Sequence, residues 1–110
     1  MPLSEKSRIE VYIPDLPQQT HQNLLDALAQ EFTYTFGGAT IIRGLDGSDL
    51  SRLGARMQDR VHLIYTDTPF AFAEHFESIS RYADALREAA FEALTEEAIL
   101  VVVLQVYHAA

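Results

Sequence analysis

The run Ala98-Ile-Leu-Val-Val-Val-Leu-Gln-Val-Tyr107 constrains this chain more than any other segment. Read as a strand, it is apolar on both faces. Leu100, Val102, Leu104 and Val106 point one way; Ile99, Val101, Val103, Gln105 and Tyr107 point the other. An antiparallel strand in a small domain ordinarily keeps one face in water. This one needs cover on both sides, and that points to assembly with other copies.

The remaining elements follow from periodicity. Ser7 to Pro14 alternates, with Ile9, Val11 and Ile13 on one face and Arg8, Glu10 and Tyr12 on the other, the pattern of a half-buried strand. Gln18 to Phe32 carries Leu24, Leu25, Leu28 and Phe32 on one helical face. Gly37-Gly38 interrupts that pattern, and Ala39 to Arg43, rich in β-branched residues, reads as a short strand. Arg60 to Thr66 reads as a third strand. Thr68 and Pro69 form a helix start, with Thr68 as cap and Pro69 in the first turn. A long helix to about Leu94 follows, with Phe72, Phe76, Ile79, Ala83, Leu86, Ala90 and Leu94 stepping by three and four. The order is strand, helix, strand, strand, helix, strand. It implies an α+β, ferredoxin-like βαββαβ fold, a four-stranded antiparallel sheet with two helices on one face, as a single domain over residues 1–110. Disorder is expected only at Met1 to Lys6.

Two helices cover one face of such a sheet, so the other is left open. With Ile9, Val11 and Ile13 under the helices, Tyr12, Glu10 and Arg8 line the open side. The more apolar set Val61, Leu63 and Tyr65 is expected to face the helices, which leaves His62 and Ile64 on the open face. The last strand adds Ile99, Val101 and Val103, or the alternate set. Several large aliphatics beside Tyr12 make a patch of the size that marks an interface. The expectation is a dimer or trimer formed through Ile64, Ile99, Val101 and Val103.

Charge excludes some partners. Sixteen acidic residues against eight basic ones give a net charge of −8, which repels nucleic-acid phosphates and anionic membranes. The absence of cysteine rules out disulfides, thiolate metal sites and cysteine nucleophiles. No apolar run is long enough for a signal peptide or a membrane span, so a cytoplasmic location is expected.

Half of the basic residues fall between Arg43 and Arg60, a glycine-punctuated stretch whose four arginines outnumber its three aspartates. Arg43, Arg52, Arg56 and Arg60, with Asp46 and Asp49, can clasp a small anion or a partner's acidic surface, because a guanidinium offers a planar fork of donors. The competing reading is a solvated connection with internal ion pairs. Asp46-Gly-Ser-Asp49 lacks the ligand spacing of a calcium loop, and the glycines form no phosphate-binding signature. His21, His62, His75 and His108 have no compact ligand spacing, so no metal site and no cofactor are expected. Tyr12, His62, Tyr65 and His108 remain as secondary candidates for polar or acid–base roles.

Gly37-Gly38-Ala39-Thr40 before a strand, a glycine-bearing mid-chain hairpin and Glu97-Ala-Ile-Leu-Val-Val before the last strand resemble the plan of the trimeric PII-type signal transducers and the CutA-type proteins. The layout is also similar to that of small bacterial ferredoxin-like proteins of unknown function. The resemblance is one of topology and carries no specific motif.

Two readings of function follow. One is a non-enzymatic, oligomeric binding or regulatory module that recognises a small anionic ligand or a protein partner through the Arg43–Arg60 stretch. The other is a small dimeric α/β-barrel enzyme with Tyr12, His62, Tyr65 and His108 between sheet and helices.

Overall fold

The computed structural model describes residues 3–15, 18–45, 60–94 and 99–109. Its elements are β1 (Leu3–Pro14), α1 (Gln19–Phe36), β2 (Thr40–Leu45), β3 (Val61–Thr68), α2 (Phe76–Leu94) and β4 (Leu100–Ala109). The strands form one antiparallel sheet in the order β2-β3-β1-β4. This is the ferredoxin-like βαββαβ arrangement.

Register settles which side chains share a face. Val11 of β1 lies opposite Ile64 of β3 and Val101 of β4, and Ile9 lies opposite Thr66 and Val103. Ile9, Val11, Ile13 and Ile64 therefore share one core with Leu24, Leu25, Leu28 and Phe32 of α1 and Leu86, Ala90 and Leu94 of α2. Ile41, Ile99, Val101 and Val103 pack against that core. Phe32, Leu25, Ile9 and Ile13 are at most 1% exposed, and each contributes about 1.5–3 kcal/mol on burial.

This corrects the expected interface. Ile64, Ile99, Val101 and Val103 lie under the helices, not on the face turned away from them. The opposite face carries the alternate sets. Ile42, Leu63, Tyr12 and Leu100 form one row across all four strands; Thr40, Tyr65, Glu10 and Val102 form the next. Tyr12, Val61 and Leu63 are buried there in a second small cluster, with Leu45, Tyr65, Leu100 and Val102 against it. The first half of the 98–107 run thus has apolar neighbours on both faces, Ile99, Val101 and Val103 on one and Leu100 and Val102 on the other, while Leu104 and Tyr107 stay exposed.

Several boundaries differ from the sequence expectation. Leu3 to Lys6 belongs to β1, because β4 continues far enough to pair with it, Leu3 lying opposite Ala109. α1 runs to Phe36 and stops at Gly37, whose φ of 90° is left-handed and whose N–H donates to the Thr33 carbonyl at 2.9 Å. α2 begins at Phe76 and not at Pro69. Thr68 does act as a local cap, accepting from the Phe70 N–H at 3.3 Å, but it caps a turn that precedes the helix. Phe76 is 54% exposed, its ring edge-on to Phe72 at 5.2 Å.

β2 carries an irregularity between Ile42 and Leu45. Gly44 sits in it at a left-handed φ of 71°, and a Cβ there would collide with the Arg60 guanidinium. Among the described residues, no helix is long and apolar enough to cross a membrane.

Candidate functional site

A cleft of about 330 Å³ opens where α1 hands over to β2. Its position follows from strand length. β2 begins at Thr40, opposite Tyr65, whereas β3 runs on through Thr66, Asp67 and Thr68. Past Tyr65, β3 has no strand beside it on the β2 side among the described residues. The gap is bridged by Gly37, Gly38 and Ala39, and the Thr66 hydroxyl donates to the Gly38 carbonyl at 2.8 Å to close the floor. A side chain added at Gly37 or Gly38 would meet no atom within 4 Å, so the space beside these residues is free.

A polar constellation borders the cleft on the face away from the helices. Arg8 donates to both Asp67 oxygens, from Nε at 2.7 Å and from Nη2 at 3.1 Å. The forked geometry makes this a strong, orientation-fixing pair. The same guanidinium lies 4.2 Å from the centre of the Tyr65 ring, a cation–π contact. His108 Nε2 donates to Asp67 Oδ2 at 2.8 Å. Beside them the Tyr12 hydroxyl donates to Glu10 Oε1 at 2.8 Å. Hydrogen bonding from Arg8 is the main cause that holds the Asp67 carboxyl below the usual carboxylate range; burial opposes it and the His108 bond adds to it.

That shift gives a titration test. A carboxyl held low contributes stability that is complete above its unfolded value, near ~3.9, and is lost as pH falls through its folded value. Arg8→Met removes the main cause. Asp67 should then titrate at higher pH in a carbon-detected NMR titration, and its contribution to acid stability should shrink. An unchanged Asp67 titration would mean that the pair does not form in solution.

The structure sorts the residues singled out from sequence. Tyr65 and His108 come together around Asp67. Tyr12 is on the same face but buried. His62 is not: it pairs with Ile13 on the helix side, its Nε2 3.0 Å from Asp15 Oδ1 and its Nδ1 accepting from the Gly44 N–H at 3.3 Å. The four polar groups of the barrel-enzyme reading therefore do not converge between sheet and helices. Arg43 reaches Gln22 of α1 at 3.3 Å, and Arg60 donates to the Gly44 carbonyl at 3.3 Å. Asp46, Asp49, Arg52 and Arg56 lie outside the described residues. Among the described residues, no three His, Asp or Glu side chains are grouped to hold a metal ion.

Sequence reasoning missed Asp67 and the cleft itself. Asp67 stands just before the helix-start signal Thr68-Pro69, and its partners Arg8 and His108 are distant in the chain. Arg8 was placed on the correct face by strand alternation, but nothing local marks its partner.

Solved structures with this architecture exist. CPII from Thiomonas intermedia K12, bound to ADP, AMP and acetate, matches 100% of this chain and 94% of its own at a TM-score of 0.53 and 18% identity. The fold is PII-like. A second structure of CPII, described as a nitrogen regulatory PII-like protein and bound to ADP, AMP and bicarbonate, matches 99% of this chain and 98% of its own at a TM-score of 0.51 and 16% identity. The chain matches no protein-family model and no curated protein. Identity at this level establishes shared architecture, and the PII-type resemblance seen in the order of elements holds for the whole length described.

Proposed function

We propose that this chain is a non-enzymatic ligand-binding module that works as an oligomer and recognises a small anionic ligand of the adenine-nucleotide class. The observation that carries the reading is the cleft at Gly37–Thr40 beside Asp67 and Tyr65, in a fold whose solved counterparts hold ADP and AMP together with acetate or bicarbonate. The chemistry divides naturally. Asp67, already charge-balanced by Arg8, offers a carboxylate to sugar hydroxyls, a role acidic side chains fill in nucleotide sites on other folds. The β2-side edge of Thr66–Thr68, beside which no strand lies among the described residues, offers backbone groups to a base. Neither neutralises a phosphate. That task falls to the arginines of the segment between β2 and β3, where Arg52 and Arg56 stand.

Calorimetric titration of ADP and AMP, with and without bicarbonate, tests the reading. Saturable binding is expected, weakened about tenfold or more by Arg52→Ala with Arg56→Ala, since a hydrogen bond to a charged group is worth about 1.5–3 kcal/mol. No binding of any of these anions, or binding indifferent to both arginines, would contradict it.

A further inference from the structure

A groove of about 370 Å³ runs between α1 and α2 on the outer surface of the helix layer. Leu24 and Leu28 of α1 and Leu86 and Ala90 of α2 form its floor, where they close over the core. Its sides are low because alanines stand there: Ala27, Ala85 and Ala89 are all exposed. The lining extends from Leu24 to Glu31 on α1 and from Tyr82 to Ala90 on α2, about two helical turns of each, or about 12 Å.

The walls decide the form of an occupant. Both are helices whose backbone groups bond within the helix, so the middle of the groove offers no backbone donor or acceptor. An extended peptide lying there would leave its own amides unpaired. A helix satisfies its backbone internally and has only side chains to place, which is the helix-in-groove mode of recognition.

The charge decides the occupant's sign. The two helices carry six carboxylates and two guanidiniums, which places half of the net charge of −8 on them. α1 has no Lys or Arg. One carboxylate is also fixed in orientation. Glu31 lines the groove, and its Oε2 accepts from the Tyr82 hydroxyl of α2 at 2.7 Å and from the Thr35 hydroxyl at 2.7 Å. These two donors, Tyr82 the more strongly, hold the Glu31 carboxyl below the usual carboxylate range. Both bonds fall on Oε2, so Oε1 is left for a cation. A helix from a second copy of this chain fits poorly, because α1 and α2 are both acidic.

We propose that the α1–α2 groove docks a basic amphipathic helix of a partner protein, with aliphatic side chains on the Leu24–Leu28–Leu86 floor and a Lys or Arg on Glu31 Oε1. The surface is independent of the nucleotide reading: no residue lines both the groove and the cleft at Gly37–Thr40.

The test is a titration of the isotope-labelled protein with a synthetic helical peptide of about 16 residues, leucine along one stripe and lysine elsewhere. Two control peptides accompany it, one with glutamate in place of lysine and one with the leucine and lysine order scrambled. The lysine peptide should give saturable amide shifts at Ala27, Glu31, Ala85 and Ala89, and neither control should. Glu31→Gln should weaken that binding about threefold, the worth of one partly exposed ion pair. Ala89→Arg, which puts bulk and positive charge into the groove, should abolish it. The proposal is overturned by the absence of saturable shifts at these residues, by binding of either control as tight as that of the lysine peptide, or by affinity unchanged in both variants. A fall in the light-scattering mass of Ala89→Arg would give the groove to a second copy and overturn it too. Should Ala89→Arg not fold, Glu31→Gln and the control peptides decide.

Discussion

Replacing Phe32 with alanine is expected to lower the stability of this protein by about 3–5 kcal/mol, out of a total of about 5–15 kcal/mol. Phe32 is completely buried and is the largest of the fully buried side chains. It sits where α1 meets the sheet, in the cluster that joins Ile9, Val11, Ile13 and Ile64 to both helices. Its removal forfeits the transfer energy of the ring and leaves a void that α1, already ended by Gly37, cannot collapse to fill. Chemical denaturation would read the loss as a lower midpoint with an unchanged slope. If the alanine variant does not fold, Phe32→Leu should still cost a measurable fraction of the same energy. A loss below about 1 kcal/mol for the alanine variant would contradict the assignment of this residue to the centre of the core.

The second large effect concerns assembly. The face away from the helices buries Tyr12, Val61 and Leu63 within one chain, but its flanks remain greasy: Ile42 on β2 is 40% exposed and Leu104 on β4 is 37% exposed. β2 and β4 are the outer strands of the sheet, so apolar surface lies at both sides of one face. Association is part of the proposed function, and we propose this face as its seat. Light scattering should then give the parent protein a mass that is a multiple of 12.4 kDa. Ile42→Lys with Leu104→Lys should lower that multiple while leaving monomer stability within about 0.5 kcal/mol, because both side chains are exposed in the single chain. A parent that scatters at the monomer mass would contradict the oligomer, and a double variant that unfolds would contradict the exposure of these residues.

The residues that made the fold legible are those whose patterns have one solution. Ile9, Val11 and Ile13 alternate against polar neighbours, so only one face of β1 can be buried. Leu24, Leu25, Leu28 and Phe32 have the same clarity on α1, and all four are buried. β3 and β4 lack it. Val61, Leu63 and Tyr65 are the more apolar set, yet Ile64, with His62 and Thr66 in its phase, faces the helices. What decides is pairing: Val11 places Ile64 and Val101 beside it, and every alternate residue then follows. Composition favoured the other phase because it could not anticipate that the second face buries a cluster too. The Arg8–Asp67–His108 constellation was illegible for a related reason. Its members belong to three strands brought together by register, and no local spacing marks them. The helix-start signal at Thr68-Pro69 was real chemistry spent on a turn.

The cleft between Gly37–Thr40 and Tyr65–Asp67 carries the proposed function. Titrating AMP into the isotope-labelled protein and following backbone amides measures that claim. Saturable shifts are expected at Gly37, Gly38, Thr40, Thr66 and Asp67, with the residues around Ile79 unmoved. Saturable shifts confined to other surfaces, or none at any of these amides, would contradict it.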